Sequence, residues 1–290
     1  MRKVLVAAWV LAVSCVPWVA QAQGVSPLLA KPVNIGIRSG AALVIDQETG
    51  EPIYRKNADQ VMPIASITKL MTAMVILDSG LPLLDSVVIE RADIDRLKGS
   101  HSKLPVGSEL MRAEMLKLSL MASENRAAAA LARTYPGGKV AFVEAMNRKA
   151  LELGMFETRF VDSTGLHPGN VATAEDLVKL VAAAHDYPLI REYSTAASFQ
   201  VESKVASRRY LLRYVNSNRM VRSPQWEIGL SKTGYISEAG RCLVLHVRIG
   251  DKPLVIVLLD SWGRLTRIGD ANRIRRWIET DLIPTGRFSS

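Results

Sequence analysis

The chain has 290 residues, 48% of them apolar and 22% charged, which supplies a sizeable core and excludes a disordered protein. Its formal net charge of +9 suits a negatively charged surface, and with only two cysteines, Cys15 and Cys242, it has no disulfide framework. The four histidines, His101, His167, His185 and His246, lack ligand spacing and no Gly-rich phosphate loop occurs, so neither a metal nor a cofactor is expected.

From the N-terminus, Arg2 and Lys3 precede an apolar run from Val4 to Val19 and a small-x-small site at Ala20-Gln21-Ala22. This pattern predicts an export signal over 1–22, cleaved after Ala22, and a single catalytic domain over 23–290. Losing Arg2 and Lys3 lowers the charge from +9 to +7, and Cys15 leaves with the signal. An exported basic protein points to the cell wall or anionic lipid rather than nucleic acid. No later apolar run is long enough to span a bilayer, so no integral membrane anchor is expected in the mature form.

Ala41–Asp46 and Pro52–Arg55 read as a hairpin turning at Gln47-Glu48-Thr49-Gly50. Ser66 then opens a helix in which Ile67, Leu70, Met71, Met74 and Val75 recur at three- and four-residue spacing. Val87–Ile89 is a short strand, and 91–110 is polar and broken by Gly99, Pro105 and Gly107. Helices follow over Ala113–Ala122, Ala127–Ala132 and Lys139–Leu153, and a capping box at Thr173–Asp176 opens another over Leu177–His185. The last third returns to strands, over Phe199–Glu202, Tyr210–Tyr214, Gly229–Lys232, Arg241–Ile249 and Leu254–Leu259, and a basic helix over Asp270–Leu282 closes the chain. Cys242, in one of these apolar runs, reads as a buried, inert thiol. The expected architecture is α+β: one antiparallel sheet built from both ends of the chain, with a helical insertion.

The chemistry begins with Ser66-x-x-Lys69. On a helix the two side chains share a face, with Cβ atoms roughly 5–6 Å apart. A serine hydroxyl needs a base to become a nucleophile, and a lysine can be that base when burial or a neighbouring cation lowers its pKa. The spacing alone is weak, since it is expected about once by chance in a chain this long. Ser100-x-x-Lys103 repeats it in a loop, and the plain alternative for Ser66 and Lys69 is a helix cap beside a solvated lysine. Two further motifs change the balance: Ser123-x-Asn125 in the break between two helices, and Lys232-Thr233-Gly234 at a strand end. The last is expected by chance on the order of 0.1 times per chain. The trio in this order is the signature of class A β-lactamases and penicillin-binding proteins.

Pro63-Ile64-Ala65-Ser66-Ile67-Thr68-Lys69, Gly99-Ser100, Ser123-Glu124-Asn125-Arg126-Ala127-Ala128, Phe160-Val161-Asp162-Ser163-Thr164-Gly165-Leu166, Asn216-Ser217-Asn218 and Lys232-Thr233-Gly234-Tyr235 together resemble the low-molecular-mass D-alanyl-D-alanine peptidases. These serine penicillin-binding proteins trim peptidoglycan. The resemblance covers nearly the whole mature chain. It implies a penicillin-binding/β-lactamase-like transpeptidase fold, an antiparallel sheet flanked by helices with a helical subregion. Its implied partners are peptidoglycan peptides and β-lactam inhibitors. In the implied roles Ser66 attacks a D-alanyl peptide bond and Lys69 takes its proton. Lys232 supplies positive charge that helps keep Lys69 neutral, Ser123 relays the proton to the leaving amine, and Asn125 holds the substrate amide. The N–H groups of Ser66 and Tyr235 form an oxyanion hole. Gly234 lets the strand edge approach a substrate that adds as an extra strand. Thr233 and Arg264 take the substrate carboxylate, with Arg222, Arg241 and Arg267 as competitors for the arginine's place.

Many members of that group carry an extra β-rich domain and an amphipathic C-terminal anchor. This sequence runs only to just past Phe288, which resembles the shorter, soluble D-alanyl-D-alanine endopeptidases of the Gram-negative periplasm. The alternative reading is a D-alanyl-D-alanine carboxypeptidase that removes a terminal D-alanine. A β-lactamase would need a positioned glutamate where Phe160–Leu166 offers only Asp162. A non-catalytic wall-binding protein would not need the full set of polar residues.

Overall fold

The computed structural model describes residues 34–205 and 208–282, so the expected leader and its cleavage point lie outside the described residues. Ala41–Asp46 (β1) and Pro52–Lys56 (β2) form the expected hairpin. Asp46 closes its turn: the carbonyl accepts the Gly50 N–H at 2.8 Å, and Oδ1 accepts that of Glu48 at 3.1 Å. Met62–Pro63 (β3) then leads into a 3-10 turn, Ala65–Thr68, and the helix Lys69–Asp78 (α1). Residues Lys69 to Ile76 of α1 are all buried, so this helix runs through the interior instead of lying on it with one apolar face. Ile67, Leu70, Met71 and Met74 are wholly buried. At roughly 1.5–3 kcal/mol each, they hold down a segment that also buries a lysine.

Short strands Ser86–Val88 (β4) and Glu109–Met111 (β5) flank the polar stretch. The helices Arg112–Met121 (α2), Asn125–Arg133 (α3) and Gly138–Glu152 (α4) follow. The bridge-like strand Val171–Ala172 (β6) pairs with β3. Thr173 caps Ala174–His185 (α5) as expected, its Oγ1 accepting Asp176 N–H at 3.1 Å. A helix not anticipated, Pro188–Thr195 (α6), carries proline at its first position, where the missing N–H costs nothing. Next come Ser198–Val205 (β7), Arg208–Val215 (β8), Glu227–Ile236 (β9), Gly240–Ile249 (β10) and Lys252–Ser261 (β11). The last helix, Thr266–Trp277 (α7), starts one turn earlier than expected and continues as a π-helical turn to Leu282.

The main sheet has the order β2-β1-β11-β10-β9 with antiparallel pairs throughout, so both ends of the chain do build it. Both faces are covered. Leu243, Leu245, Val247, Leu254, Ile256 and Leu258 pack with Ala271 and Ile274 of α7, whereas Cys242, Val244, Val255 and Val257 join the core formed by α1 to α5. A sheet buried on both sides reads as unbroken apolar runs, which is why β10 and β11 are plain in the sequence. One expectation is corrected. β7 and β8 do not enter this sheet but belong to a separate four-stranded one, β4-β5-β7-β8. β5 touches β7 through a single pair, Glu109 opposite Lys204. β9 is an edge strand of the main sheet, and its free side borders the cavity described next.

Candidate active site

The 3-10 turn presents Ser66 ahead of α1, with Ala65 held at φ +48°, an unusual value for a residue with a side chain. The surrounding loop, 161–170, accounts for this. Gly165 lies so close that a Cβ there would come within 2.0 Å of the Ala65 carbonyl oxygen. Asn170 locks the contact: its carbonyl accepts Ile64 N–H at 3.0 Å, its Nδ2 donates to Thr68 Oγ1 at 3.0 Å, and its Oδ1 accepts Val161 N–H at 2.7 Å. Thr72 Oγ1 donates to the Ser163 carbonyl at 2.7 Å. The loop thereby aims the Thr164 carbonyl at the site. Asp162, the one acid in the Phe160–Leu166 segment, spends its carboxylate on the N–H groups of Thr164, Gly165 and His167. It organises the loop and is not free to activate a water.

Lys69 is fully buried, so the solvated-lysine alternative does not hold. Its Nζ donates to Ser66 Oγ at 2.8 Å, Asn125 Oδ1 at 2.8 Å and the Thr164 carbonyl at 2.6 Å. Burial lowers its pKa to about 7, against the opposing pull of Asp162, Glu124 and Asp95. Asn125 is the first residue of α3, and its Nδ2 donates to Ser100 Oγ at 2.8 Å. Ser100, the loop serine that repeats the Ser-x-x-Lys spacing, thus supports the site, at one remove from Ser66. Ser123, in the break between α2 and α3, is held at φ +59° and accepts a hydrogen bond from Lys232 Nζ at 2.9 Å. Lys232 is also buried, and burial first, then the charges of Lys69 and Arg267, push its pKa well below the ordinary lysine value. Burial, more than Lys232, therefore accounts for the lowered pKa of Lys69, and the two amines compete for protons as a pair.

A cavity of about 530 Å³ collects these groups: Ser66, Ser123 and Asn125 on the helical side, Thr233, Gly234 and Tyr235 on β9. Gly234 also meets a packing requirement within the protein. A Cβ there would sit 3.0 Å from Ser66 N and from the Ile64 carbonyl oxygen, so the glycine lets β9 lie against the nucleophile turn. Tyr235, the next residue on β9, lines the same cavity as Ser66, and the position of Ser66 N in the first turn leaves it without an intrahelical partner. Thr233 Oγ1 meets Ser217 Oγ at 2.8 Å within the cavity. Lys98, also in the lining, forms an ion pair with Glu238 of the β9–β10 turn.

The arginines weighed for the substrate carboxylate are placed differently. Arg264 is exposed and does not line the cavity, whereas Arg267, one turn further along, does. Arg267 Nη1 is buried without a hydrogen-bond partner among the described residues, and burial lowers the guanidinium's pKa. The sequence reading assigned no role to Thr164, Asn170 and Ser217. Thr164 acts through its backbone, which carries no side-chain signal, and Asn170 acts through loop geometry. Two histidines distant in sequence, His185 and His246, stack at 3.6 Å between ring centroids, outside the cavity lining. Among the described residues no group of three or more His, Cys, Asp or Glu is placed to hold a metal ion.

Residues 28–262 match the family model described as D-alanyl-D-alanine carboxypeptidase. The chain is 48% identical over 259 residues to the D-alanyl-D-alanine endopeptidase of Pseudomonas aeruginosa, covering 89% of this chain and 82% of that protein. It is 44% identical over 268 residues to the D-alanyl-D-alanine endopeptidase of Escherichia coli, covering 92% and 86%. Among solved structures, the DD-transpeptidase of a Streptomyces strain superposes with a TM-score of 0.77 at 28% identity, over 83% of this chain and 97% of that one. A penicillin-binding protein of Listeria monocytogenes in its ampicillin-bound form gives 0.72 at 27%, over 84% and 98%. The architecture is thus the penicillin-binding transpeptidase fold.

Proposed function

The chain belongs to the D-alanyl-D-alanine carboxypeptidase family of serine peptidases, and from that premise we propose that it is a D-alanyl-D-alanine endopeptidase cutting peptide cross-links in peptidoglycan. The observation that carries the mechanism is the Ser66–Lys69 pair, 2.8 Å apart with Lys69 buried and its pKa near 7. Neutral Lys69 takes the Ser66 proton as Oγ adds to the D-alanyl carbonyl carbon, and the oxyanion is held by the N–H groups of Ser66 and Tyr235. Collapse breaks the C–N bond. The amine leaves with a proton passed through Ser123, which Lys232 orients. Water then adds to the acyl-enzyme and releases the D-alanyl carboxylate, restoring Ser66. Asn125 holds the substrate's peptide amide. Thr233, Ser217 and Arg267 hold the carboxylate next to the scissile bond, a charge-assisted contact that satisfies the orphaned Nη1.

The two endopeptidase relatives, at 48% and 44% identity, support the cross-link as substrate. The description of the matching family model supports the second reading, removal of a terminal D-alanine. A β-lactamase is disfavoured because Asp162 is committed to backbone N–H groups. We place the mature protein in the periplasm, with 23–290 as one catalytic domain. In support, the described residues fall in a single compact unit, and none of their helices is long and apolar enough to cross a membrane. The test is a side-by-side digestion of a cross-linked muropeptide dimer and a monomeric pentapeptide, with labelled penicillin as titrant. Faster cleavage of the dimer and a persistent penicillin adduct are expected. Exclusive cleavage of the pentapeptide would favour the carboxypeptidase, and rapid turnover of penicillin a lactamase.

A further inference from the structure

Arg267 lines the cavity, and the turn just before it in the chain carries exposed side chains that the roles above leave unused. Trp262 is 92% exposed and Leu265 53% exposed, in the connection between β11 and α7, with exposed Arg264 between them. Scattered surface apolar residues need no explanation, but this pair stands on a built turn. Thr266 Oγ1 accepts Gly263 N–H at 3.0 Å, Thr266 N–H returns to the Gly263 carbonyl at 3.1 Å, and Gly269 N–H binds the Leu265 carbonyl at 2.9 Å. Just before it, Asp260 at φ +49° and a register shift between β10 and β11 redirect the strand end, the effect of a bulge. Ser261 is anchored to Ser39 at 2.7 Å between hydroxyls. The tryptophan is therefore held out on a fixed support.

The support adjoins the site. Tyr235 lines the cavity and pairs in register with Arg241, which pairs in turn with Ser261. Two strand spacings, about 10 Å, separate Tyr235 from the base of the turn. The Arg241 guanidinium lies 4.4 Å from the centre of the half-exposed Tyr235 ring. The exposed Trp262, Arg264 and Leu265 therefore stand within two strand spacings of the Tyr235–Arg241 pair at the cavity, and we refer to these five residues as the shelf.

Direction decides what the shelf meets. Arg267, with its unsatisfied Nη1, marks the carboxylate of the residue that leaves. In a terminal D-alanine nothing lies beyond that carboxylate except solvent. In a cross-link the leaving residue belongs to a second stem peptide, whose remaining length has to leave the cavity, and the Trp262–Leu265 turn, which precedes Arg267 in the chain, is one surface open to it. Such a peptide carries aliphatic chains and free carboxylates, the chemical complement of exposed Trp262 and Leu265 and of the guanidinium groups of Arg241 and Arg264. We propose that the Trp262–Leu265 turn, with Arg241 and Arg264, is a leaving-group subsite that holds the second stem peptide and makes the enzyme prefer cross-links over terminal D-alanine.

This inference rests on the endopeptidase reading, and the experiment separates the two. Trp262→Ala, Trp262→Phe and the unaltered protein are compared for kcat/KM on a cross-linked muropeptide dimer, for kcat/KM on a monomeric pentapeptide, and for the second-order rate of penicillin acylation. The expected result for Trp262→Ala is a fall of roughly tenfold on the dimer, the scale of one lost aromatic contact. Pentapeptide hydrolysis and acylation stay unchanged, and Trp262→Phe recovers most of the loss. Unchanged dimer cleavage by Trp262→Ala overturns the subsite and leaves the endopeptidase standing. An equal loss on all three substrates overturns it in favour of a structural role. Binding of the same proteins to vesicles containing anionic phospholipid is measured alongside, and its loss in Trp262→Ala with dimer cleavage intact overturns the subsite in favour of a lipid contact. If the unaltered protein cleaves the pentapeptide alone, the endopeptidase reading itself fails.

Discussion

Acylation by penicillin should follow the protonation of Lys69. Its pKa of about 7 leaves roughly half the molecules with a neutral amine at pH 7, about one in ten at pH 6 and about one in a hundred at pH 5. Only the neutral amine accepts the Ser66 proton, so the second-order acylation rate rises with pH through 7 and levels off above 8. It falls about fivefold from pH 7 to 6 and about fiftyfold from pH 7 to 5. Lys69→Arg keeps the charge but stays protonated. It should acylate roughly 100-fold to 10,000-fold more slowly, the usual contribution of a general base, without the rise near pH 7. Stopped-flow acylation with a chromogenic β-lactam from pH 5 to 9 measures both. A flat profile in the unaltered protein, or near-normal acylation by Lys69→Arg, would refute the assignment of Lys69 as base.

Three further outcomes are expected. Ser66→Ala abolishes covalent penicillin labelling, detected by intact mass, whereas Ser100→Ala retains it and slows acylation less than about tenfold, since the hydrogen bonds lost, with Asn125 and Asp95, are at one remove from Ser66. Arg267→Ala lowers kcat/KM for carboxylate-bearing substrates by roughly ten- to a hundredfold, the scale of a charge-assisted hydrogen bond, and a matched substrate amidated at that carboxylate should lose this dependence. Gly165→Ala, with its Cβ forced onto the Ala65 carbonyl at a φ of +77°, destabilises by roughly 2–5 kcal/mol. Thermal melting measures the loss, and acylation slows with it because the contact sets the nucleophile turn.

The parts of the site legible in the sequence are those set by local geometry. Ser66 and Lys69 meet because three residues separate them along one helical turn, and Lys232, Thr233 and Gly234 are consecutive on one strand. Arg267 was less legible, and the reason is a helix boundary. Composition begins the last helix at Asp270, but the Gly263–Thr266 hydrogen bonds begin it a turn earlier. That change puts Arg267 in the first turn beside the cavity and leaves Arg264 before the helix, in solvent. The second sheet was hidden because β5 has three residues and one pair with β7. Partner choice at that length depends on what lies across the gap, which neither chain segment encodes alone.

The thiol of Cys242 offers a way to watch the reactive edge of the main sheet. It is wholly buried, its pKa is pushed up to about 11 by burial, and its register partner is Gly234. Among the described residues Cys242 is the one thiol, and it presents no thiolate to an alkylating reagent at neutral pH, so its modification waits for β9 and β10 to separate. The rate at which the label is taken up is a clock for that opening, with an activation free energy set by the strands themselves. An acyl group on Ser66 fills the space on the other side of β9, so the clock runs slower in the acylated protein by the amount the adduct contributes to holding the strand in place.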